Sequence, residues 1–530
     1  MKFFKSTQRS VLRSIMRGGR RYRSSGEDFF VEDFQKIIAD AGDCGLPIEK
    51  NSFFSAKISE RNLKSAIAQH LMLRIGVTIL PRILLYRNGY IDQVERTKIV
   101  GPFPEAMCSE IEKNGYEVNR FISKILFFLF IALAWGYGVF VTTFQMILGW
   151  KRYDGKYANN VYLAGVSACN FAEINSKNRN FNYLTWLKKS FPQECCYLHS
   201  VKGLKDTENY KYVANPIPSL PNFKTKLEYT LWTIWAIFFS LLKLIGGKWH
   251  YAFFLSEAAI AKKIEVIPIQ LRPKAYYFNS SNMMKKPLWV DLFETSGGIT
   301  NLFLYSINMQ GFEDKNGNRP LYAVFRHMTW QNIGVWNTLQ KEYLTKAMKF
   351  TPNFQIVGPV WFSDVENVFP VKKTPSISFF DVTPKRRSWM ETMSAKKTHY
   401  TRKVCTSSLN EIYKICNELE VTLLYKNKRN FSPIDDKIFM RNVSKIKDQR
   451  NIIVYDPEVS PQKLIKVSDA VISLPFTSTG IAAQSMGKPS CYLDLFAELN
   501  ETDAIANGIP IIQSINDLKT WIKENVSKIN

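Results

Sequence analysis

Residues Pro475 to Gly480 read Pro-Phe-Thr-Ser-Thr-Gly. They follow a short apolar run, Asp469 to Leu474, and lead into a helix-like stretch from Thr479 to Met486 that Gly487 and Pro489 close. Thr477, Ser478 and Thr479 would then bring three hydroxyls and the free N–H groups of a helix start to the end of a strand. The positive end of the helix dipole favours an anion there, and phosphate is what such turns hold. Ser478 can instead act only as a helix cap. Lys426 ends the strand-like run Val421 to Tyr425. A cation in that position neutralises a phosphate without a metal. Lys428 and Arg429, just beyond, are either further cations for the site or a solvated cluster. Lys385, Arg386 and Arg387 follow Thr383-Pro384 in the same way, and either reach an interdomain cleft or face water.

Acid–base chemistry has several candidates upstream. His327 sits among aromatics in Arg-His-Met-Thr-Trp, and Asp291, Glu294 and Glu257 lie in the same half of the chain. Any of them is a candidate to deprotonate an acceptor hydroxyl. His327 can equally be a structural histidine, and Asp291 and Glu294 plain helix surface. No metal site is expected: the five histidines have no ligand spacing, and no D-x-D pair is present to hold a divalent ion on a diphosphate. The eight cysteines form no C-x-x-C pair, which fits buried thiols in a reducing compartment.

These residues need a scaffold that brings strand ends together. From Ser376 onward, short apolar runs alternate with helical stretches. The strands are Ile377 to Val382, Val421 to Tyr425, Asn451 to Tyr455, Asp469 to Leu474, Ser490 to Leu493 and Ile509 to Ile512. The helices are Asn410 to Leu419, Gln462 to Val467 and Thr479 to Met486, and a capping box at Ser514 to Asp517 opens the last one. Such alternation implies a parallel sheet, with ligands at the carboxyl ends of its strands. Asp381 and Asp494, each at a strand end, are therefore cleft candidates together with Arg386. Between 155 and 370 the pattern is looser. Strands are expected at Asn160 to Gly165, Glu265 to Ile269, Leu302 to Ser306 and Gln355 to Pro359, with a helix at Phe253 to Ile264.

The stretches Ser468 to Ser473, Pro475 to Thr479 and Gly487-Lys488-Pro489-Ser490 resemble the PFTS motif family of polysaccharide biosynthesis proteins. Phe380-Asp381-Val382-Thr383-Pro384 and the lysine after the next strand, Lys426, fit the same resemblance. It is strong over roughly 375–515, looser over 250–370 and weak before 120. It implies a GT-B-like α/β fold, two Rossmann-like domains facing across a cleft, and a glycosyltransferase. The expected donor is a nucleotide sugar, and the expected acceptor a glycan or lipid-linked acceptor. No cofactor is expected beyond that co-substrate. A sugar-nucleotide epimerase or a non-catalytic scaffold of a polysaccharide assembly complex are the competing readings. The family brings no assigned catalytic residues.

At 530 residues and a net charge of +25 the chain is multidomain and attracts anions. No nucleic-acid-binding motif accompanies the charge, so no nucleic acid partner is expected. Residues 1–24 carry eight Lys or Arg and no acid. They read as an amphipathic helix on an anionic membrane, a transit peptide or a disordered tail. Ile125 to Trp150 contains no charge and is long enough to cross a bilayer, and Tyr229 to Leu242 is a shorter apolar run. The twelve Lys or Arg between 151 and 228 argue against exporting that loop. In-plane or re-entrant insertion, with the large parts on the cytoplasmic side of the inner membrane, is therefore preferred over crossing. Two buried core helices are the alternative. The expected divisions are a mostly helical region 1–120, a membrane-associated helix 121–150, an acceptor domain 151–372 with an apolar insertion 229–247, and a nucleotide-sugar-binding domain 373–530.

Overall fold

The structure is a computed structural model. It describes residues 54, 58, 60–71, 75, 98–113, 117–167, 171, 182–191, 196–204, 206–279, 286–307, 311–319, 321–322, 325–360, 374–384, 400–427, 437–457 and 459–526. The basic segment 1–24, Lys385, Arg386, Arg387, Lys428 and Arg429 lie outside the described residues.

Two parallel sheets organise the chain. The first has β1 (Val161–Ala164), β2 (Tyr197–His199), β3 (Tyr210–Tyr212), β4 (Ala275–Asn279), β5 (Ile299–Phe303), β6 (Asn332–Val335) and β7 (Asn353–Ile356), in the order β3-β2-β1-β4-β5-β6-β7. The second has β8 (Ser376–Phe380), β9 (Thr422–Lys426), β10 (Ile452–Tyr455), β11 (Ala470–Ser473), β12 (Ser490–Leu493) and β13 (Ile511–Ile512), in the order β10-β9-β8-β11-β12-β13. Counted from its own first strand, each follows the doubly wound order 3-2-1-4-5-6. Both domains are therefore Rossmann-like, the two-domain α/β arrangement expected from the sequence.

The strands are apolar on both faces because both faces are covered. Along β4, Tyr276 and Phe278 enter one core, while Ala275 and Tyr277 enter the other. Along β8, Ile377 and Phe379 pack on one side and Phe380 on the other. This is the period-two signature of a buried parallel strand. The carboxyl ends of the two sheets face each other: Ile307, just past β5, donates from its backbone N–H to Ser478 Oγ, just past β11, at 3.3 Å.

The helices in chain order begin with α1 (Glu60–Leu71), α2 (Glu105–Lys113) and α3 (Arg120–Gly149). α4 (Asn182–Ser190), α5 (Phe223–Ile245), α6 (Trp249–Phe253), α7 (Leu255–Val266), α8 (Leu288–Thr295) and α9 (Thr338–Ala347) accompany the first sheet. α10 (Arg402–Glu418), α11 (Lys437–Lys447), α12 (Pro461–Val467), α13 (Ser478–Ser485) and α14 (Ile515–Asn525) accompany the second. The strand expected at Glu265 to Ile269 does not form. α7 continues to Val266, a 3-10 turn covers Ile269–Leu271, and β4 starts only at Ala275.

α3 and α5 run antiparallel. Trp150, at the end of α3, meets Thr230 near the start of α5, and Trp135 Nε1 donates to Ser240 Oγ at 2.9 Å near the other end. One face of the pair is seated on the helix layer of the first domain along its length. Phe127 packs on Trp249, Gly138 brings the α3 backbone against Leu255, and Tyr229 donates to the Ala259 carbonyl at 2.9 Å. The other face is apolar and exposed. Leu133 is 77% exposed, Phe140 68%, Phe238 64% and Leu242 68%. These helices are long and apolar enough to cross a membrane, yet among the described residues only one side of each is covered by protein. A core helix would be covered all round, so the buried-core alternative does not describe them.

Candidate functional site

The second domain gathers its chemistry at the switch point of its sheet, between β8 and β11. Lys426, Phe380 and Ser473 stand in one register row across β9, β8 and β11. Residues in register on parallel strands point to the same face. Lys426 and Ser473 therefore flank Phe380 on that face, two strand spacings or roughly 10 Å apart. Lys426 is buried, with Nζ donating to the Asn427 carbonyl at 3.2 Å.

The turn after β11 is held from three sides. Tyr400 donates to the Pro475 carbonyl at 2.7 Å, and Tyr492 of β12 donates to the Thr477 carbonyl at 3.2 Å. The Phe476 ring lies between Tyr492 and Phe312, each centroid 5.1 Å away. Gly480 is required here. A Cβ at that position would sit 2.7 Å from the Tyr492 ring, so only glycine lets α13 close on β12.

The hydroxyls form a chain: Ser473 Oγ to Thr479 Oγ1 at 2.9 Å, and Thr479 Oγ1 to Thr477 Oγ1 at 3.1 Å. Three hydroxyls carry three O–H donors, and the two links use two of them. One donor is left over, whichever way the chain runs. The N-cap of α13 is Thr477, whose side chain makes no capping hydrogen bond. Ser478 is the first helical residue, not the cap, and its hydroxyl reaches Ser306 Oγ (3.4 Å) and the Ile307 N–H of the other domain. The reading of Ser478 as a simple cap is thereby corrected. The first N–H groups of α13, a spare hydroxyl donor and a buried ammonium together suit an anion.

Asp381 and Asp494 are also at strand ends but are engaged in the fold. Asp381 lies on the opposite side of β8 from Phe380, and its carboxylate accepts from the Tyr425 hydroxyl at 2.6 Å. Burial, and secondly this carboxylate, push the Tyr425 phenol well above its usual value. Asp494 Oδ2 accepts from the Leu499 N–H at 2.9 Å and from Gln513 Nε2 at 3.1 Å, fixing the turn after β12.

The expected bases of the first domain are not brought to this edge. Lys286 Nζ lies 2.5 Å from both Asp291 Oδ1 and Glu294 Oε2 and donates to the Thr329 carbonyl at 3.0 Å. Thr300 donates to the other Glu294 oxygen. Glu257 accepts from the Leu288 N–H and pairs with His70 of α1. Burial outweighs Lys286 and pushes the Asp291 carboxyl up to about 6, and Glu294 is raised for the same reason. His327 is buried nearby, its carbonyl accepting from Gln69 Nε2. Thr300 and Thr329 stand at the amino ends of β5 and β6. Ser306 lies six residues beyond Thr300, or roughly 20 Å along an extended chain. A base must sit within hydrogen-bond reach of its proton, so this cluster holds helices together and does not serve the cleft. The contacts missed from sequence are Ser306, Ile307, Ser473 and Tyr492. Ser473 lies within the strand read from the sequence, Tyr492 depends on how α13 packs on β12, and Ser306 and Ile307 depend on which loops the two domains bring together.

No curated protein matches the chain. Solved structures match at low identity. The S. aureus TarM variant in complex with fondaparinux, α-GlcNAc-glycerol and UDP is 12% identical, with a TM-score of 0.30, over 51% of this chain and 52% of that one. The chain thus spans about half the length of TarM. The wall teichoic acid polymerase TagF is 9% identical (TM-score 0.37, 76% and 90% covered), and the Methanocaldococcus jannaschii UDP-GlcNAc 2-epimerase 9% (TM-score 0.33, 70% and 93%). At sequence level, the profile of the polysaccharide biosynthesis PFTS motif proteins matches residues 232–522, from within α5 to the last helix. With more than half of its length matched, the Pro-Phe-Thr-Ser turn included, the chain belongs to the family of polysaccharide biosynthesis PFTS motif proteins.

Proposed function

We propose that the protein is a glycosyltransferase that moves a sugar from a nucleotide-sugar donor to a glycan or lipid-linked acceptor of a surface polysaccharide. The carrying observation is the anion cradle at Ser473, Thr477 and Thr479, with Lys426 in the same register row. The donor diphosphate lies at the amino end of α13. Lys426 and the helix terminus meet its charge in the place a divalent ion would occupy. Neutralising the leaving diphosphate is the step these groups serve.

Replacing Thr477 and Thr479 together by alanine removes two of the three chained hydroxyls and leaves the backbone N–H groups. Nucleotide affinity should fall at least about tenfold, since a hydrogen bond to a charged group contributes roughly 1.5–3 kcal/mol. Isothermal titration of the folded double variant with UDP, GDP and CDP measures it. Unchanged affinity for every nucleotide that binds the parent would move the donor elsewhere. An epimerase would alter the sugar of its donor with no acceptor present, which a transferase does not.

The reaction takes place at the cytoplasmic face of a membrane, with α3 and α5 lying in its plane. The support is the one-sided packing of these helices. To cross a bilayer they would have to drag in α7, whose Lys262 pairs with Glu228 of α5. Lys124, Lys151, Arg152 and Lys224 stand exposed at their ends, where cations meet anionic headgroups. Protease added to intact cells should spare residues 151–228. Cleavage there would mean that the helices cross.

A further inference from the structure

Between the two domains lies a clasp that the donor-site chemistry does not explain by itself. After β5 the chain is fixed to its own domain: Trp336 Nε1 donates to the Leu304 carbonyl at 2.7 Å, and Gln340 Nε2 to the Ser306 carbonyl at 3.1 Å. Gly311 to Arg319 then reaches across to the turn after β12. The Glu313 N–H donates to Asp503 Oδ2 at 2.8 Å, and the Asn500 N–H returns to the Glu313 carbonyl at 3.1 Å. Asn500 Nδ2 donates to Glu313 Oε1 at 2.6 Å, and Asp314 forms an antiparallel bridge with Leu499. Arg319 closes the set. Its Nη2 lies 2.5 Å from Asp503 Oδ1 and 3.0 Å from Glu313 Oε2, while Nη1 donates to the Gly311 carbonyl at 2.8 Å. The Asp503 side chain is fully buried, so Arg319 compensates a charge that would otherwise be stranded. Asp494 joins indirectly by shaping the turn that presents Leu499 and Asn500.

The clasp ends on the Pro-Phe-Thr-Ser turn. Phe312, next to Glu313, presses on Phe476 at 5.1 Å and on Tyr400 at 6.3 Å. Tyr400 is the residue that holds the Pro475 carbonyl. The turn is therefore held by its own sheet on one side and by the first domain on the other.

We infer that Phe312 and Arg319 are positioning residues of the donor site: they reach from the first domain to set the geometry of the turn that binds the donor phosphates. The inference rests on the donor reading above. An anion cradle tolerates little displacement, because binding and transfer both depend on groups held to a fraction of an ångström. A structural contact alone would only lower stability. A positioning contact lowers nucleotide affinity in molecules that remain folded.

The test compares Arg319→Met, Arg319→Lys and Phe312→Leu with the Thr477/Thr479 double alanine variant. Each is titrated with the nucleotide diphosphate that binds the parent most tightly, and folding is followed by circular dichroism and thermal unfolding. Arg319→Met should bind about tenfold more weakly or worse, and Arg319→Lys should recover part of the loss, since one ammonium can still pair with Asp503. Phe312→Leu retains an apolar contact but not the ring stack, and should bind several-fold more weakly while staying folded. It carries the test should Arg319→Met fail to fold. If the double alanine variant is weakened while folded Arg319 and Phe312 variants bind as the parent does, the inference is overturned and the donor reading stands. If the double alanine variant binds normally, the donor reading has failed, and the inference with it.

Discussion

The two domains share a strand order and differ in where they put their polar groups. In the second domain, hydroxyls and an ammonium converge at the carboxyl ends of β9 and β11, beside the switch point. In the first, the buried charges Lys286, Asp291 and Glu294 sit at the opposite end of the sheet, and the outer helix layer carries the apolar pair α3 and α5. Topology thus offers each domain a ligand crevice without requiring that it be built the same way. The side chains decide. The second domain sets hydroxyls and a lysine at the carboxyl edge of its sheet, and the first carries buried charges that hold helices and an exposed apolar helix face.

That contrast can be broken most forcefully at Lys286. Lys286→Met would leave two buried carboxylates without their shared cation, and should lower stability by about 3–5 kcal/mol. Denaturant unfolding measures the loss. Nucleotide affinity of the folded fraction should be unchanged, and a loss of affinity there would tie the first domain's charge cluster to the site. A second effect is a pH dependence. The Asp291 carboxyl, pushed up to about 6 in the fold from an unfolded value near 4, binds more protons folded than unfolded between those two values. Its contribution therefore favours folding at the acid end of that window and is lost as pH rises through about 6. With about 1.4 kcal/mol per unit, the change is at most about 3 kcal/mol. Asp291→Asn should flatten stability between pH 4 and 6, and an unaltered profile would assign the slope to other groups. The smallest effect probes the second domain. Gly480→Ala forces a Cβ against Tyr492 and should cost about 1–3 kcal/mol. It should also weaken nucleotide binding, because the same ring holds Thr477. A loss of stability alone would separate the packing of α13 from its ligand.

How legible these domains are from sequence differs in the same direction. The second reads strand for strand, because its parallel strands are short apolar runs stopped by turn residues, as at Tyr455 before Asp456-Pro457. In the first, Ala275 to Asn279 is a buried run of aromatics with no alternation to mark it. The expected single helix at Phe253 to Ile264 is broken at Phe254. The strand expected at Leu302 to Ser306 lies three residues earlier, and the shift frees Ser306 to meet Ser478. The strand–turn–helix around Pro-Phe-Thr-Ser was legible because its pattern is local in the sequence. The proposed bases were not, because residue type and helical spacing do not say which end of a sheet a side chain occupies. His327 looks like a cleft residue until β6 is seen to begin after it.

The place of β1 has a practical consequence for dissecting the molecule. The family resemblance begins at residue 232, inside α5, but β1 lies in the middle of the first sheet, bonded to β2 on one side and β4 on the other. A fragment cut at the resemblance boundary would lack β1 through β3. It would expose the whole edge of β4, where Tyr276, Tyr277 and Phe278 are buried in the intact sheet. A long apolar edge of that kind pairs with its copies. The smallest autonomous unit is therefore larger than the region the family shares. In a detergent that covers the exposed face of α3 and α5, fragments designed on sequence similarity should precipitate, and those that begin ahead of α3 should not.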